Sequence, residues 1–292
     1  MGKALADQFE VCARTFAEAD AALNESLSEL IFAGPADRLT LTENTQPAIL
    51  TMSIAVCRLL EEKGIRPAFV AGHSLGEYSA HVAAGTFSFA DAVRLVRNRG
   101  RYMQQATPVG SGAMAAILGL DEAGVNQACA EAAQGEVVSA ANLNGAGQIV
   151  IAGTTAAVAR ASERAKALGA KRALPLPVSA PFHCALMKPA EDRLAPELRA
   201  VSAHTPRVPV IANVDAGPKR AAHESIEALI RQVSSPVRWE DVVRRLASEG
   251  VTRYVEVGPG KALSGMIKRI VSGATIYNVE GPDDLAAIEA LS

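Results

Sequence analysis

Apolar positions along the chain change period several times, and each change marks an element. Over residues 4–32, Leu23, Leu27, Leu30 and Ile31 form one stripe, which predicts a helix ended by Gly34-Pro35. Residues 41–47 are polar and read as a loop. Pro47 suits the first turn of a helix and Gly64 its stop, so a largely apolar helix is expected over residues 47–63, buried against a sheet. Residues 69–71 are a short apolar run, long enough for a buried strand, and a helix-like run covers residues 78–84. Ser88, with Asp91 three residues on, predicts the next helix start. The apolar stripe of that helix, Ala92, Val96 and Met103, also carries Arg99. Arg94, Arg97 and Arg101 fall off the stripe and read as ordinary solvated charges.

Beyond the hinge-like Pro108-Val109-Gly110-Ser111-Gly112 the rhythm changes. Strand 113–118, helix 121–133, strand 136–141, an Asn/Gly turn at 144–147, strand 148–152, helix 155–168 and strand 171–176 are expected. That βαββαβ order is the ferredoxin-like split unit. It predicts a small subdomain over residues 109–178, inserted into a core built from residues 1–108 and 179–292. Alternation then resumes with helix 183–201, strand 208–213, helices 224–233 and 239–249, strand 253–257, a turn at Gly258-Pro259-Gly260-Lys261, a helix to residue 270 and a strand at 274–278. Alternation around an insertion predicts the α/β class: a hydrolase-like core with a mostly parallel sheet, carrying a ferredoxin-like insertion.

Composition works by exclusion. A net charge of −2 gives no basic field for nucleic acid. No apolar run approaches the roughly 20 residues of a membrane span, and the N-terminus lacks the apolar stretch of a signal peptide. Cys12, Cys57, Cys129 and Cys184 are scattered without a C-x-x-C pair, which argues against a zinc site and a disulfide framework. A soluble cytoplasmic protein is expected. Aromatic residues are only 4%, so its core must be mainly aliphatic.

Gly72-His73-Ser74-Leu75-Gly76 fits G-x-S-x-G between an expected strand and an expected helix. The turn at Ser74 is sharp and strained, so its neighbours should lack a Cβ. The hydroxyl then stands at a helix N-terminus, where the Leu75 N–H can face a developing oxyanion. An ordinary Gly-rich turn with an incidental serine has the same letters. A serine nucleophile needs a base. Of five histidines, His73 adjoins Ser74 and should point away from its hydroxyl, and His81 lies on the following helix. His204 and His223 sit in polar, loop-like surroundings. His183, in Val178-Ser179-Ala180-Pro181-Phe182-His183-Cys184, stands where the insertion rejoins the core, the mouth of a cleft. A capping or surface histidine would fit there as well. Arg99, on an inward face, needs an anionic partner or water, and a buried carboxylate of the protein would serve. Asn142 and Asn144 suit a hairpin turn. The turn at Gly258 lacks the spacing of a phosphate loop.

The longer string Gly72-His73-Ser74-Leu75-Gly76-Glu77-Tyr78 resembles the active-site motif of malonyl-CoA:acyl carrier protein transacylases, the acyltransferases that load malonyl units for fatty acid synthesis. The resemblance continues over nearly the whole chain. It implies Ser74 as nucleophile and His183 as base. It also implies that a main-chain carbonyl, that of Gln232, orients the imidazole. The arginine of the Arg99 helix would form a bidentate pair with the free carboxylate of the malonyl group. Phe182 and Leu75 resemble the residues of malonyl-selecting members, with Phe182 crowding an α-methyl branch. Asn142 and Asn144 would lie along the pantetheine arm. The implied reaction is ping-pong transfer of malonyl from malonyl-CoA, through a malonyl-serine ester, to the phosphopantetheine thiol of acyl carrier protein. No metal or redox cofactor is implied, and the protein is expected to act as a monomer.

Two other readings stay open. An α/β-hydrolase-type esterase or thioesterase also uses this elbow, although the insertion between Ser74 and His183 and the inward Arg99 count against it. The other is an inactive carrier-binding homologue. It arises because family members begin with an apolar strand leading into Phe-Pro-Gly-Gln-Gly-Ser-Gln, whose Gln donates one of two oxyanion-hole N–H groups. This chain opens at Met1-Gly2-Lys3-Ala4-Leu5, which resembles the helix just after that motif. The expectation is that Met1 is an internal methionine and that the natural protein begins upstream.

Overall fold

A computed structural model of the protein describes residues 1–108, 110–178 and 180–288. Helices dominate the first hundred residues. The single helix expected over 4–32 is three: Lys3–Gln8, Glu10–Leu23 and Leu27–Ala33. Phe9 interrupts it in extended backbone (φ −125°, ψ 120°), and Asn24 ends the second in the left-handed conformation (φ 53°). Leu27, Leu30 and Ile31 are buried, as the stripe requires. The next helix, Thr42–Glu62, starts before Pro47, so residues read as a polar loop are helical. The side chains of Asn44 and Thr45 donate to the carbonyls of Arg38 and Leu39 and tie this helix start to the preceding turn. Pro47 therefore lies inside the helix, where it removes one backbone bond. The shift places Gln46 on the helix, buried.

Helix Phe89–Gln105 begins as its sequence predicts, with the Ser88 hydroxyl accepting from the Asp91 N–H at 3.1 Å. Ala92, Val96, Arg99 and Met103 are all buried. Arg94 and Arg101 are exposed, but Arg97 is not the solvated charge its position suggests. It is buried, donating to the Asn44 side chain and to Glu25 at 2.9 Å. The reason is crowding. Helices Glu10–Leu23, Thr42–Glu62 and Lys188–Ala200 all pack on this helix, so the positions beside the stripe are covered too. At Gly100 a Cβ would stand 2.6 Å from the Thr42 carbonyl oxygen, which shows how closely two of these helices approach.

The core strands are short. Val70–Ala71 runs parallel to Val210–Ile211, which pairs antiparallel with Pro218–Lys219. Arg253–Val257 and Thr275–Val279 form a separate parallel pair. Among the described residues, then, the core strands lie in two small sheets, not the one mostly parallel sheet expected. Strand–helix alternation predicts parallel crossovers; it does not require two such pairs to share hydrogen bonds.

Strands Gly112–Leu118, Val138–Leu143, Gln148–Thr154 and Arg172–Pro175 make a four-stranded antiparallel sheet with Gln148–Thr154 and Gly112–Leu118 in the middle. Helices Glu122–Ala133 and Thr155–Ala167 share an aliphatic cluster with one face of it, including Ile117, Val125, Ile151 and Val158. Alternate residues of the strands, Met114 and Val150 among them, pack the other face against Cys184 and Phe182. The expected hinge and boundaries fall partly on Val109 and Ser179, which lie outside the described residues. The edge strand is stitched to the core: the Val237 N–H donates to the Ala141 carbonyl at 2.9 Å and the Leu143 N–H to the Val237 carbonyl at 2.8 Å.

Two histidine placements differ from expectation. The helix expected from residue 183 is a 3₁₀ turn, Ala185–Met187, leading into helix Lys188–Ala200, and His183 precedes both at φ 60°. His223 lies on helix Ala222–Gln232 and not in a loop. Among the described residues no helix is long and apolar enough to cross a membrane.

Candidate active site

The strand Val70–Ala71 turns into helix Leu75–Ala83 through Ser74, whose backbone (φ 53°, ψ −107°) is strained for a residue with a side chain. Two side chains hold it there. Asn213, just past strand Val210–Ile211, accepts from the Ser74 N–H at 2.7 Å and donates to the Gly72 carbonyl at 2.8 Å. Gln232, at the end of helix Ala222–Gln232, donates its amide to the Ser74 carbonyl at 2.9 Å. Gly72 has no room for a side chain, since a Cβ would stand 2.0 Å from the carbonyl carbon of Gly76. Gly76 differs from expectation: a Cβ there would meet nothing within 4 Å, so the sharp turn needs only the first glycine bare. Leu75 is the first residue of the helix, so its N–H has no carbonyl one turn back to bond.

The Ser74 hydroxyl lies 2.6 Å from Nε2 of His183, across the junction with the small sheet. Nδ1 of His183 faces the main-chain carbonyl of Gln232 at 3.0 Å. A carbonyl can only accept, so Nδ1 carries the proton and Nε2 is left bare to take one from Ser74. The imidazole is 3% exposed. Burial first, and then the Arg99 charge, push its pKa down to about 3, against the Gln232 carbonyl, which pulls it up. His183 is therefore a neutral acceptor at neutral pH.

Arg99 completes the cluster. It is 2% exposed and donates to the Gln46 side-chain oxygen at 2.7 Å, the Gln232 side-chain oxygen at 2.9 Å and the Ser74 hydroxyl at 3.1 Å. Its carbon centre lies 5.3 Å from the Tyr78 ring centroid. Each of these hydrogen-bond acceptors is neutral, so the buried-carboxylate partner weighed for Arg99 is not among them. Burial pushes its pKa down, opposed by Tyr78 and Glu77. With Arg99 donating to it, the Ser74 oxygen directs its own proton at His183. The arrangement can do nucleophilic acyl chemistry beside a fixed positive charge.

The chain is similar to known proteins over nearly its whole length. The acyl transferase domain family matches residues 1–278. The chain belongs to that family. It is 52% identical over 284 residues to the malonyl CoA-acyl carrier protein transacylase of Escherichia coli (strain K12), covering 97% of this chain and 92% of that protein. It is 50% identical over 293 residues to the Bacillus subtilis (strain 168) protein of the same description, covering 100% and 92%. A solved acyl carrier protein S-malonyltransferase from Vibrio cholerae superposes with a TM-score of 0.97 at 49% identity, covering 99% of this chain and 94% of that one. A malonyl-transacylase solved in complex with a type II polyketide acyl-carrier protein superposes equally well (0.97) at 46% identity, covering 100% and 95%.

The remaining expected residues of this acyl transferase are more loosely placed. The side-chain oxygen of Asn144 lies 3.0 Å from Nε2 of His73. His73 thereby points at the small sheet and the Trp239 ring, 5.7 Å away, and not at the Ser74 hydroxyl, as expected. Asn142 is buried at a bulge in its strand, beside Val237. Phe182 is partly buried between the large core and the back of the small sheet.

Three residues of the network carry no expectation from sequence: Asn213, Gln46 and Glu77. Asn213 had a usable signal, being the polar residue that follows Val210-Ile211-Ala212. Ends of parallel strands are where α/β folds place such groups. Gln46 was hidden by the late helix start. Glu77 is buried, and its Oε2 accepts from the Gln232 amide at 2.8 Å and the Asn213 N–H at 3.0 Å. Burial raises its pKa to about 7, against those two bonds and the Arg99 charge.

Proposed function

We propose that the protein transfers a malonyl group from malonyl-CoA to the phosphopantetheine thiol of an acyl carrier protein, through an ester on Ser74. The observation that carries this reading is the shared hydroxyl: Ser74 lies 2.6 Å from His183 Nε2 and 3.1 Å from the Arg99 guanidinium. The relatives named above, at about half identity over nearly the full chain, support the same substrate pair. In the first half-reaction the Ser74 oxygen attacks the thioester carbonyl and its proton passes to His183 Nε2. The C–S bond then breaks and the CoA sulfur takes that proton. In the second half-reaction the carrier thiol gives its proton to His183 and attacks the ester. Ser74 leaves and recovers the proton. The Leu75 N–H stands beside the attacked carbonyl and serves as an oxyanion donor.

Arg99 would hold the malonyl carboxylate by a two-bond, charge-assisted pair. Phe182, at the junction behind His183, would disfavour an α-methyl branch, and Asn142 and Asn144 would line the path of the pantetheine arm. The antiparallel βαββαβ order supports a ferredoxin-like subdomain over residues 109–178, set on a hydrolase-like core of residues 1–108 and 179–292. The protein would act as a monomer. The cysteines are all free, which fits the cytoplasm. A hydrolase would more commonly orient its histidine with a carboxylate; here Nδ1 of His183 faces a carbonyl, and the nearby Glu77 is bound to Gln232 and Asn213 instead. The test is intact mass after incubation with malonyl-CoA. A malonyl adduct on Ser74 that a carrier thiol discharges supports transfer, and release of malonate without an adduct would count for the hydrolase.

A further inference from the structure

Glu77 sits inside the motif but touches none of the reacting atoms. Its two hydrogen bonds lead to both halves of the site. Through Asn213 it reaches the Ser74 N–H and the Gly72 carbonyl. Through Gln232 it reaches Arg99. The Gln232 NH₂ is held by two acceptors, Glu77 Oε2 at 2.8 Å and the Ser74 carbonyl at 2.9 Å, which leaves its oxygen to face Arg99 at 2.9 Å. A flipped amide would set NH₂ against the guanidinium and oxygen against two oxygens. The other oxygen of Glu77, Oε1, is buried without a hydrogen-bond partner among the described residues. We propose that Glu77 is a positioning residue for acyl selectivity: it locks the Gln232 amide so that Arg99 faces Ser74, and its own charge sets how much positive potential Arg99 offers an acyl carboxylate. This rests on the malonyl-transfer reading above.

The charged and titratable groups facing Glu77 are Arg99 from helix Phe89–Gln105, Asp215 beyond strand Val210–Ile211, and Tyr78 on its own helix. Ionised, Glu77 offsets Arg99 and repels a second carboxylate. Protonated, it leaves Arg99 uncompensated. Burial places this change near neutrality, at about 7. A malonyl carboxylate, with an ordinary carboxylic pKa, stays ionised throughout that range. The preference for malonyl over acetyl should therefore fall as pH rises through neutrality. Taking the ratio of the two donors cancels effects that they share through Ser74 and His183.

The experiment measures kcat/KM for malonyl-CoA and acetyl-CoA from about pH 6 to about pH 8 in wild type, Glu77→Gln and Glu77→Ala. The glutamine oxygen can take both hydrogen bonds without the charge. The wild-type ratio should fall on the order of tenfold, the scale of one charge acting on another through a protein interior. The Glu77→Gln ratio should stay flat. Glu77→Ala should lose preference at every pH, mainly by raising KM for malonyl-CoA. Parallel wild-type and Glu77→Gln profiles, or a folded Glu77→Ala with wild-type preference, would overturn the role. Should Glu77→Ala not fold, the Glu77→Gln profile decides alone. The wild-type control keeps the two ideas apart. No malonyl ester on wild type sinks the transfer reading itself, whereas a normal ester with parallel profiles sinks only the role of Glu77.

Discussion

Replacing Arg99 with alanine should change which acyl group the enzyme prefers more than it changes whether the enzyme works. Arg99 is buried, and the side chains of Gln46, Gln232 and Ser74 that accept from it are neutral, so these hydrogen bonds do not neutralise its charge. Loss of a desolvated, charge-assisted pair costs about 2–5 kcal/mol. At about 1.4 kcal/mol per decade, malonyl transfer should then fall by roughly 30-fold to a few thousand-fold in kcat/KM. Acetyl transfer has no carboxylate to lose and should fall far less. The variant also leaves the side-chain oxygens of Gln46 and Gln232 short of a donor, each worth about 1–3 kcal/mol of stability, partly offset because no guanidinium need be buried. A lower melting temperature is thus expected and does not by itself test the argument. The pH profile does. The Arg99 charge is the second cause, after burial, of the low His183 pKa. In Arg99→Ala the acid limb of acetyl transfer should therefore move up from about 3 toward, but not to, the ordinary histidine value of 6.5. The assay is transfer from both CoA donors to one carrier protein across pH. Equal losses for the two donors, with an unmoved acid limb, would reduce Arg99 to a structural residue.

Three further outcomes follow from the same geometry. Gly72→Ala should fail to fold or lose several kcal/mol, because its Cβ meets Gly76 backbone at 2.0 Å, whereas Gly76→Ala should fold at least as well, with up to about 1 kcal/mol gained from helix propensity; equal melting temperatures for the pair would refute this. Ser74→Ala should abolish the malonyl adduct in the mass spectrum while keeping the wild-type circular dichroism. His81 and His183 are both held neutral by burial, with pKa lowered to about 3, so the unfolded chain binds more protons between there and 6.5, and stability should fall as pH drops through that window, by roughly 1.5–2 kcal/mol per histidine between about pH 6.5 and 5. A His81→Gln variant should show a shallower acid decline in melting temperature, and an identical decline would contradict the assignment.

Much of this was legible because it depends on local rules. The elbow follows from a glycine two residues before a serine that stands between a strand and a helix. Ser88 and Asp91 announce a helix start, and the period of Ala92, Val96 and Met103 alone turns Arg99 inward. What stayed hidden depends on long-range packing. Arg97 looks solvated on its own helix and is buried only because other helices close over it. Asn213 and Gln232 lie 139 and 158 residues from Ser74, and nothing in the flanks of Gln232 or Glu77 marks the role of their side chains.

Gln232 shows why such a residue resists local reading. Its main chain holds His183, while its side chain holds Ser74, Glu77 and Arg99 at once. The first role needs no particular side chain, so substitution should leave the histidine tautomer in place. The second needs a carboxamide, with a donor on one side and an acceptor on the other. Gln232→Glu supplies acceptors only: one oxygen would still meet Arg99, now as an ion pair competing with an acyl carboxylate, and the other would oppose Glu77 and the Ser74 carbonyl. Malonyl transfer should drop by at least about tenfold, the scale of one lost charge-assisted bond, and acetyl transfer by less. Gln232→Met, which removes the polar groups but adds no charge, separates the two effects. If both variants lowered malonyl and acetyl transfer alike, the side chain would matter for the fold of the elbow and not for the aim of Arg99.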